Sequence, residues 1–239
     1  MLEDVTHTTY LTLIAENPIF AGLSPRAWKE VLEAATTRTY AKGELIVRQG
    51  DPARNFHLLV DGRAKLLQVT RDGHQVLVRY IVPGQQVGLI SVLGDLDYPL
   101  SIHPVVRCTT LMWSGEELLQ LMERHPRISI NALRVMVNRN QQRQQRYQEL
   151  LTERVEQRLA QGLLRLADQV GQPEGDNIRI DLPLTREDLA EYTGTTLFSV
   201  SRILRRWEQD GFVESGRERV SLSDLVALRA IADGVDSAP

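Results

Sequence analysis

Short apolar runs separated by turns dominate the first half of the chain. The runs lie at residues 45–47, 57–60, 64–69 and 76–82. Turns containing glycine close them at intervals of about 8 to 12 residues, a spacing typical of an antiparallel sandwich or barrel. The pattern therefore predicts an all-β domain within residues 1–125.

A stretch without glycine or proline follows Pro126 and continues to residue 161. Within it, steps of three and four residues select a heptad-like seam: Ile130, Leu133, Val137, Asn140, Gln144, Tyr147 and Leu151. This spacing predicts a long helix over residues 126–153 that pairs with the same helix of a second copy. The alternative is a helix packed on its own barrel, with the two central amides solvated. The arginines and glutamines around the seam favour the dimer, because so polar a helix buries little within one chain.

A smaller domain is predicted over residues 154–239, where a helix and a loop over residues 171–177 precede two further helices. The first of these begins at Thr185 with a capping-box spacing to Asp188, and glycine at position 194 breaks it. On the second, residues 196–209, an inward face is predicted for Val200, Ile203, Leu204 and Trp207. Two helices joined by a short glycine turn form a helix-turn-helix unit. A two-stranded wing and a final helix capped by Ser223 complete the prediction.

The outward stripe of the second helix carries the side chains that DNA recognition needs. Arg202 is the candidate for direct readout, because arginine can donate two hydrogen bonds to guanine O6 and N7. Free backbone N–H groups at the helix start attract phosphate. The candidate DNA contacts are Arg202, Ser201, Phe198, Ser199, Thr195, Thr196, Arg205, Arg206, Arg186 and Arg217. The alternative is a helical bundle that binds no DNA, since residues 154–233 hold 11 basic and 14 acidic side chains.

Composition narrows the classes of function. The 239 residues carry a net charge of −3, which argues against coating nucleic acid or a membrane by bulk charge. The single cysteine, Cys108, cannot form an internal disulfide or supply the four thiolates of an iron–sulfur cluster. The acidic N-terminus lacks a secretory signal, and no run of about 18 apolar residues occurs. We therefore expect a cytoplasmic protein without a membrane partner. The common enzyme motifs are missing too, so we expect no enzyme.

Four sequence segments occur together in family order: GELIVRQGDP at 43–52, LVDG at 59–62, PGQQVG at 83–88 and LTREDLA at 184–190. Over about residues 18–223 the chain resembles the Crp/Fnr superfamily of bacterial transcription regulators. The resemblance implies an α+β fold, with an N-terminal antiparallel β-roll of the cyclic-nucleotide-binding, jelly-roll type, a dimerisation helix and a C-terminal winged helix-turn-helix. It also implies a homodimer on a palindromic operator of double-stranded DNA, a small-molecule effector, and RNA polymerase as a partner.

The ligand-binding positions of the family are altered in this chain. Members that bind cyclic AMP carry a glutamate where Leu89 stands and an Arg-Ser pair near Tyr98 and Pro99. A buried phosphate without its arginine is poorly compensated, so we expect no ordinary cyclic-nucleotide binding. An apolar effector pocket is predicted instead from Gly88, Leu89, Tyr98, Pro99, Leu100, Asn140 and Gln144, with the last two as the switch. Haem is a further hypothesis, although no histidine has a diagnostic spacing.

The recognition helix also departs from the family. Phe198 stands where better-known members place a glutamate that reads cytosine, whereas Ser201 and Arg202 are retained. We expect an operator that keeps a guanine for Arg202 and offers a thymine methyl group to Phe198. The alternative function is an effector-binding module that regulates a protein partner. Binding to DNA that weakens steeply with salt would separate the two.

Overall fold

The computed structural model describes the backbone of residues 2–235 and the side chains of residues 7–235. The chain divides into two compact units between Gln142 and Arg143. The first unit contains α1 (Leu2–Glu16), α2 (Pro25–Glu33), β1 (Thr36–Tyr40), β2 (Asn55–Asp61), β3 (Ala64–Val69), β4 (Gln75–Ile81), β5 (Gln86–Val87), α3 (Leu89–Leu93), β6 (Ser101–Pro104), β7 (Cys108–Ser114) and α4 (Gly115–Arg124). The long helix α5 (Pro126–Thr152) continues from the first unit into the second.

Two antiparallel sheets form the β-roll of the first unit, in the strand orders β1-β7-β2-β5 and β4-β3-β6. Successive side chains of a strand point to opposite faces. On β2, Phe56 and Leu58 therefore pack against the helices, whereas Leu59 lies in the core between the sheets. The predicted antiparallel β-roll is confirmed, and helices α1 to α4 accompany its strands. The predicted run at residues 45–47 is not a strand, because only a single bridge joins Val47 to Ile102.

The helix-side core is built around aromatic rings. The ring of Trp113 lies 5.4 Å from that of Phe56 and 5.7 Å from that of Phe20, measured between centroids. Its indole Nε1 donates a hydrogen bond of 2.8 Å to the carbonyl of Val31, at the buried face of α2. Because each ring removes a large apolar area from water, this cluster fixes the helices on the sheet.

One face of α5 belongs to this core and another does not. Ile128, Ala132 and Val135 are buried among the residues of the helix-side cluster. The large apolar residues of the predicted seam are exposed: Ile130, Leu133, Val137, Tyr147 and Leu151. The predicted long helix is confirmed, and its seam is not used by the core of either unit.

The second unit continues with α6 (Val155–Val170), β8 (Gly171–Glu174), β9 (Asn177–Ile180), α7 (Arg186–Thr193), α8 (Leu197–Gln209), β10 (Val213–Gly216), β11 (Arg219–Leu222) and α9 (Leu225–Ala232). The predicted wing, β10 with β11, forms part of a four-stranded sheet in the order β10-β11-β9-β8. The segment predicted as a loop over residues 171–177 thus contains a strand. The prediction that Ser223 caps α9 is also wrong, because the side chain of Asp224 accepts the N–H of Ala227, at 2.9 Å.

Candidate DNA-binding site

The turn between α7 and α8 is fixed at both of its ends. At the start of α7, the N–H of Asp188 donates to the Thr185 hydroxyl, and the N–H of Thr185 donates to the Asp188 carboxylate, both at 3.0 Å. At its end, Gly194 adopts the left-handed conformation with φ of 63°. The left-handed backbone favours glycine here, and a Cβ atom would lie 2.7 Å from Cδ2 of Leu150, so that side chain would have to shift.

Arginine side chains from neighbouring helices hold this turn in place. Arg158 donates to the carbonyl oxygens of Thr193 and Gly194, at 3.0 and 3.3 Å. The guanidinium of Arg146 lies 4.7 Å from the centroid of the Tyr192 ring on α7. The hydrogen bonds of Arg158 satisfy carbonyl groups that the end of α7 leaves open, and the Arg146 contact packs against the same helix. Sequence reasoning missed both arginines, because neither lies within the helix-turn-helix segment.

The start of α8 is capped by Thr196. The N–H of Ser199 donates to the Thr196 hydroxyl at 3.1 Å, and that hydroxyl in turn donates to the Ser199 hydroxyl at 3.0 Å. Thr195 is half-buried, and its N–H donates to the Ala190 carbonyl at 2.9 Å. The predicted hydroxyl residues therefore gather at the N-terminus of α8, where the backbone N–H groups lack intrahelical partners.

The two faces of α8 differ sharply in burial. Val200, Ile203, Leu204 and Trp207 are buried, as their spacing predicts. Phe198, Arg202 and Arg205 are exposed at steps of four and three residues along the opposite face. The sequence predicts that this outward stripe contacts DNA.

The five predicted arginines are not equivalent. Within residues 7–235, Arg202, Arg205 and Arg217 have no hydrogen-bond or ion-pair partner. Arg206 forms an ion pair with Glu156 of α6. The same carboxylate also accepts a hydrogen bond of 2.9 Å from the indole Nε1 of Trp207. Only part of the predicted basic surface is therefore free to meet an anion.

Arg186 also has protein partners. It donates to the Ser215 hydroxyl at 3.2 Å and lies 4.0 Å from the carboxylate of Glu208. On the wing, Arg219 of β11 donates to Glu174 of β8 at 2.6 Å, and this hydrogen bond lowers the pKa of the Glu174 carboxyl. The wing therefore keeps Arg217 as its unpaired cation.

The predicted effector pocket is brought together only in part. Gly88 and Tyr98 lie side by side, and the Tyr98 hydroxyl donates to the Asn55 carbonyl at 2.6 Å and accepts its N–H at 3.2 Å. Burial raises the pKa of Tyr98. Leu100 packs against the same core between the sheets, whereas Pro99 is exposed. Leu89 instead packs in the helix-side core, because the left-handed turn at Gly88 starts α3 on the other side of the sheet.

The two polar residues assigned to the pocket, Asn140 and Gln144, are exposed on α5, and Gln144 falls in the second unit. Sequence reasoning missed other polar groups near Gly88. Arg79 and Arg139 both donate to the carbonyl of Gln86, at 3.3 and 2.8 Å. The surroundings of Gly88 are therefore less apolar than the sequence predicts.

A histidine side chain is buried inside the β-roll. His57 is 2% exposed, and its Nδ1 has no hydrogen-bond partner in the described part of the chain. Burial, with a smaller contribution from the positive charge of Arg38, lowers the pKa of His57 to about 4. No cluster of three or more His, Cys, Asp or Glu side chains among the described residues is arranged to hold a metal ion. No helix among them is both long and apolar enough to cross a membrane.

Comparison with known proteins assigns a class to each part of the chain. A cyclic nucleotide-binding domain matches residues 37–125, and a Crp-like helix-turn-helix domain matches residues 157–231. Together with the sheet, the long helix and the outward stripe of α8, these matches define a transcription regulator with a DNA-binding helix-turn-helix domain.

Similar proteins extend this assignment over most of the chain. A CRP-like cAMP-activated global transcriptional regulator of Mycobacterium tuberculosis is 23% identical over 216 residues, covering 90% of this chain and 96% of the relative. A global nitrogen regulator of Synechococcus elongatus is 29% identical over 192 residues, covering 79% and 86%. The structure of FixK2 from Bradyrhizobium japonicum has the same fold, with a TM-score of 0.73, 21% identity and coverage of 86% and 98%. The chain belongs to the Crp/Fnr superfamily of bacterial transcription regulators.

Proposed function

We propose that this regulator acts in the cytoplasm as a homodimer that binds a palindromic site on double-stranded DNA. The exposed, unpartnered arginines on the outward stripe of α8 carry the proposal. A single helix fits the major groove, where Arg202 would donate two hydrogen bonds to a guanine. Arg205 and Arg217 would contact phosphates, and Thr195, Thr196, Ser199 and Ser201 would set the position of the helix.

The exposed seam of α5 supports the dimer. Its apolar residues follow heptad spacing, and Leu133 is 62% exposed within one chain. Pairing with the same helix of a second copy would remove this surface from water. Two-fold symmetry would then place the half-sites about 34 Å apart, one turn of the double helix.

The first unit would sense a small-molecule effector. The relative from M. tuberculosis is named for activation by cAMP. This chain has Leu89, Tyr98 and Pro99 at the positions assigned to ribose and phosphate contacts, and Leu89 is buried in the helix-side core. We therefore favour an effector other than a cyclic nucleotide, with Asn140 and Gln144 as the switch. RNA polymerase would be the protein partner of the DNA-bound regulator.

Selection of DNA sites by the purified protein, followed by anisotropy titrations at several salt concentrations, tests the proposal. Arg202→Ala is expected to weaken binding by about 1 to 3 kcal/mol for each half-site and to relax one base position in each half-site. Arg229→Ala is the matched control, because it removes an exposed positive charge of α9 in the same unit. Equal effects of the two variants would contradict base readout by Arg202. A protein without salt-dependent DNA binding would instead favour a module that regulates a protein partner.

A further inference from the structure

An aromatic ring lies on the polar stripe that faces DNA. Phe198 lies on α8 and is 77% exposed. It precedes Arg202 by four residues, so the two side chains are neighbours on one face of α8. A phenyl ring cannot donate or accept a conventional hydrogen bond, and its exposure to water is unfavourable. We therefore expect the ring to contact an apolar group on the same DNA surface that Arg202 contacts.

The position of Phe198 in the helix brings it close to bases. It is the second residue of α8, and helical side chains lean toward the N-terminus. In helix-turn-helix proteins, the N-terminal residues of the recognition helix contact the base edges. The Thr196 hydroxyl caps this end through the N–H of Ser199, so the first turn that carries Phe198 is fixed. The ring would reach the floor of the groove rather than its rim.

The major groove offers one apolar group, the methyl group on C5 of thymine, and 5-methylcytosine carries the same group. A helical turn advances 5.4 Å and a base pair 3.4 Å, so Phe198 would reach about one or two base pairs beyond the guanine of Arg202. Insertion of the ring between bases is less favoured, because such wedges act from the minor groove and kink the duplex.

We infer that Phe198 is a specificity-determining residue that reads the C5 methyl group of a pyrimidine, so that cytosine methylation at this position strengthens binding. The inference rests on the proposed DNA-binding function. It extends that function, because the regulator would respond to a covalent mark on DNA as well as to an effector. Thymine and 5-methylcytosine would be equivalent for Phe198, whereas deoxyuridine and unmodified cytosine would leave the ring without a partner.

Paired DNA probes that differ by one methyl group test the inference. In the selected site, each thymine is replaced in turn by deoxyuridine, by cytosine and by 5-methylcytosine, one symmetric pair at a time. Burial of one methyl group corresponds to roughly a fourfold change in affinity, and two half-sites to roughly fifteenfold. We expect a loss of this size with deoxyuridine at one position per half-site, and a gain of the same size when cytosine at that position is methylated.

Protein variants assign the effect to the ring. Phe198→Ala is expected to bind thymine and deoxyuridine probes equally, while still binding the deoxyuridine probe about as well as the unaltered protein does. Val226→Ala is the matched control, because Val226 is 80% exposed on α9 of the same unit, and it should keep the full discrimination.

The outcomes separate this inference from the proposed function. Salt-dependent binding with equal affinity for thymine and deoxyuridine at every position would overturn the methyl readout and leave the DNA-binding function intact. Discrimination that survives in Phe198→Ala would overturn the role of Phe198. Failure to bind any DNA would refute the proposed function itself.

Discussion

Mild acid is expected to destabilise the first unit through one buried histidine. Lowering the pH from 7 to 5 should reduce its free energy of unfolding by about 2 kcal/mol through His57 alone. This side chain is 2% exposed on β2, among residues of the core between the sheets. A charge there would lack both water and a hydrogen-bond partner for Nδ1.

The size and sign of this change in the free energy of unfolding follow from the pKa of His57, which burial lowers from 6.5 to about 4. Between these values the unfolded chain binds more protons than the folded one, so stability is present above the unfolded pKa and is lost as the pH falls. The full difference corresponds to about 3 kcal/mol at 1.36 kcal/mol per pH unit. About two thirds of it is lost by pH 5, before the pKa of the folded state is reached.

Urea unfolding followed by tryptophan fluorescence measures this loss. Trp28 and Trp113 report on the first unit, and a Trp207→Phe background removes the reporter of the second. The control is His57→Gln, which cannot take up a proton at this position and should lose about 2 kcal/mol less stability than the unaltered protein between pH 7 and pH 5. Burial also lowers the pKa of His103 on β6, and this residue contributes equally to both proteins. Carboxyl groups contribute little in this range, because their ordinary pKa values lie below 5. If both proteins lose the same stability, protonation of His57 is not the cause.

Three further predictions concern the second unit and the seam. Gly194→Ala should destabilise the second unit by about 1 kcal/mol in urea unfolding, because alanine is strained in a left-handed turn and the Leu150 side chain would have to shift. An unchanged midpoint would contradict this. Arg205→Ala should lower the slope of log affinity against log salt by about 2, because the dimer loses one phosphate contact in each half-site. Arg206→Ala should leave the slope unchanged because of its ion pair, so equal slopes for the two variants would be inconsistent with the pairing. Leu133→Glu should give a monomer in sedimentation, because it places a charge in the seam. Leu119→Glu on α4 is the control, since Leu119 is 51% exposed outside the seam. A dimeric mass for Leu133→Glu would exclude the seam as the dimer interface.

Features fixed by neighbouring residues could be predicted from the sequence. The capping box at Thr185, the glycine turn at Gly194 and the inward face of α8 each depend on residues within a few positions of one another. Their physical causes are local hydrogen bonds, a backbone angle that favours glycine, and the helical repeat. The existence of the long helix α5 likewise follows from the absence of helix-breaking residues after Pro126, although that absence continues beyond the end of α5 at Thr152.

Features fixed by distant residues could not be predicted. The strand β8 has the sequence Gly-Gln-Pro-Glu, which lacks any apolar alternation, and it forms only because β9 pairs with it. Leu89 was assigned to the effector pocket, yet the turn at Gly88 directs it into the helix-side core. The same limit applies to charges, because Glu156 meets Arg206 across 50 positions of the chain.

These distant pairs also explain how an acidic domain can present a basic edge. Residues 154–233 hold more acidic than basic side chains, so net charge alone argues against DNA. The structure partitions those charges: acidic partners neutralise Arg186, Arg206 and Arg219 within the protein. Arg202 and Arg205 stay unpaired on the outward stripe. Because screening confines surface charges to about 10 Å at ordinary salt, a phosphate at this edge meets the two free cations and little of the domain's overall charge.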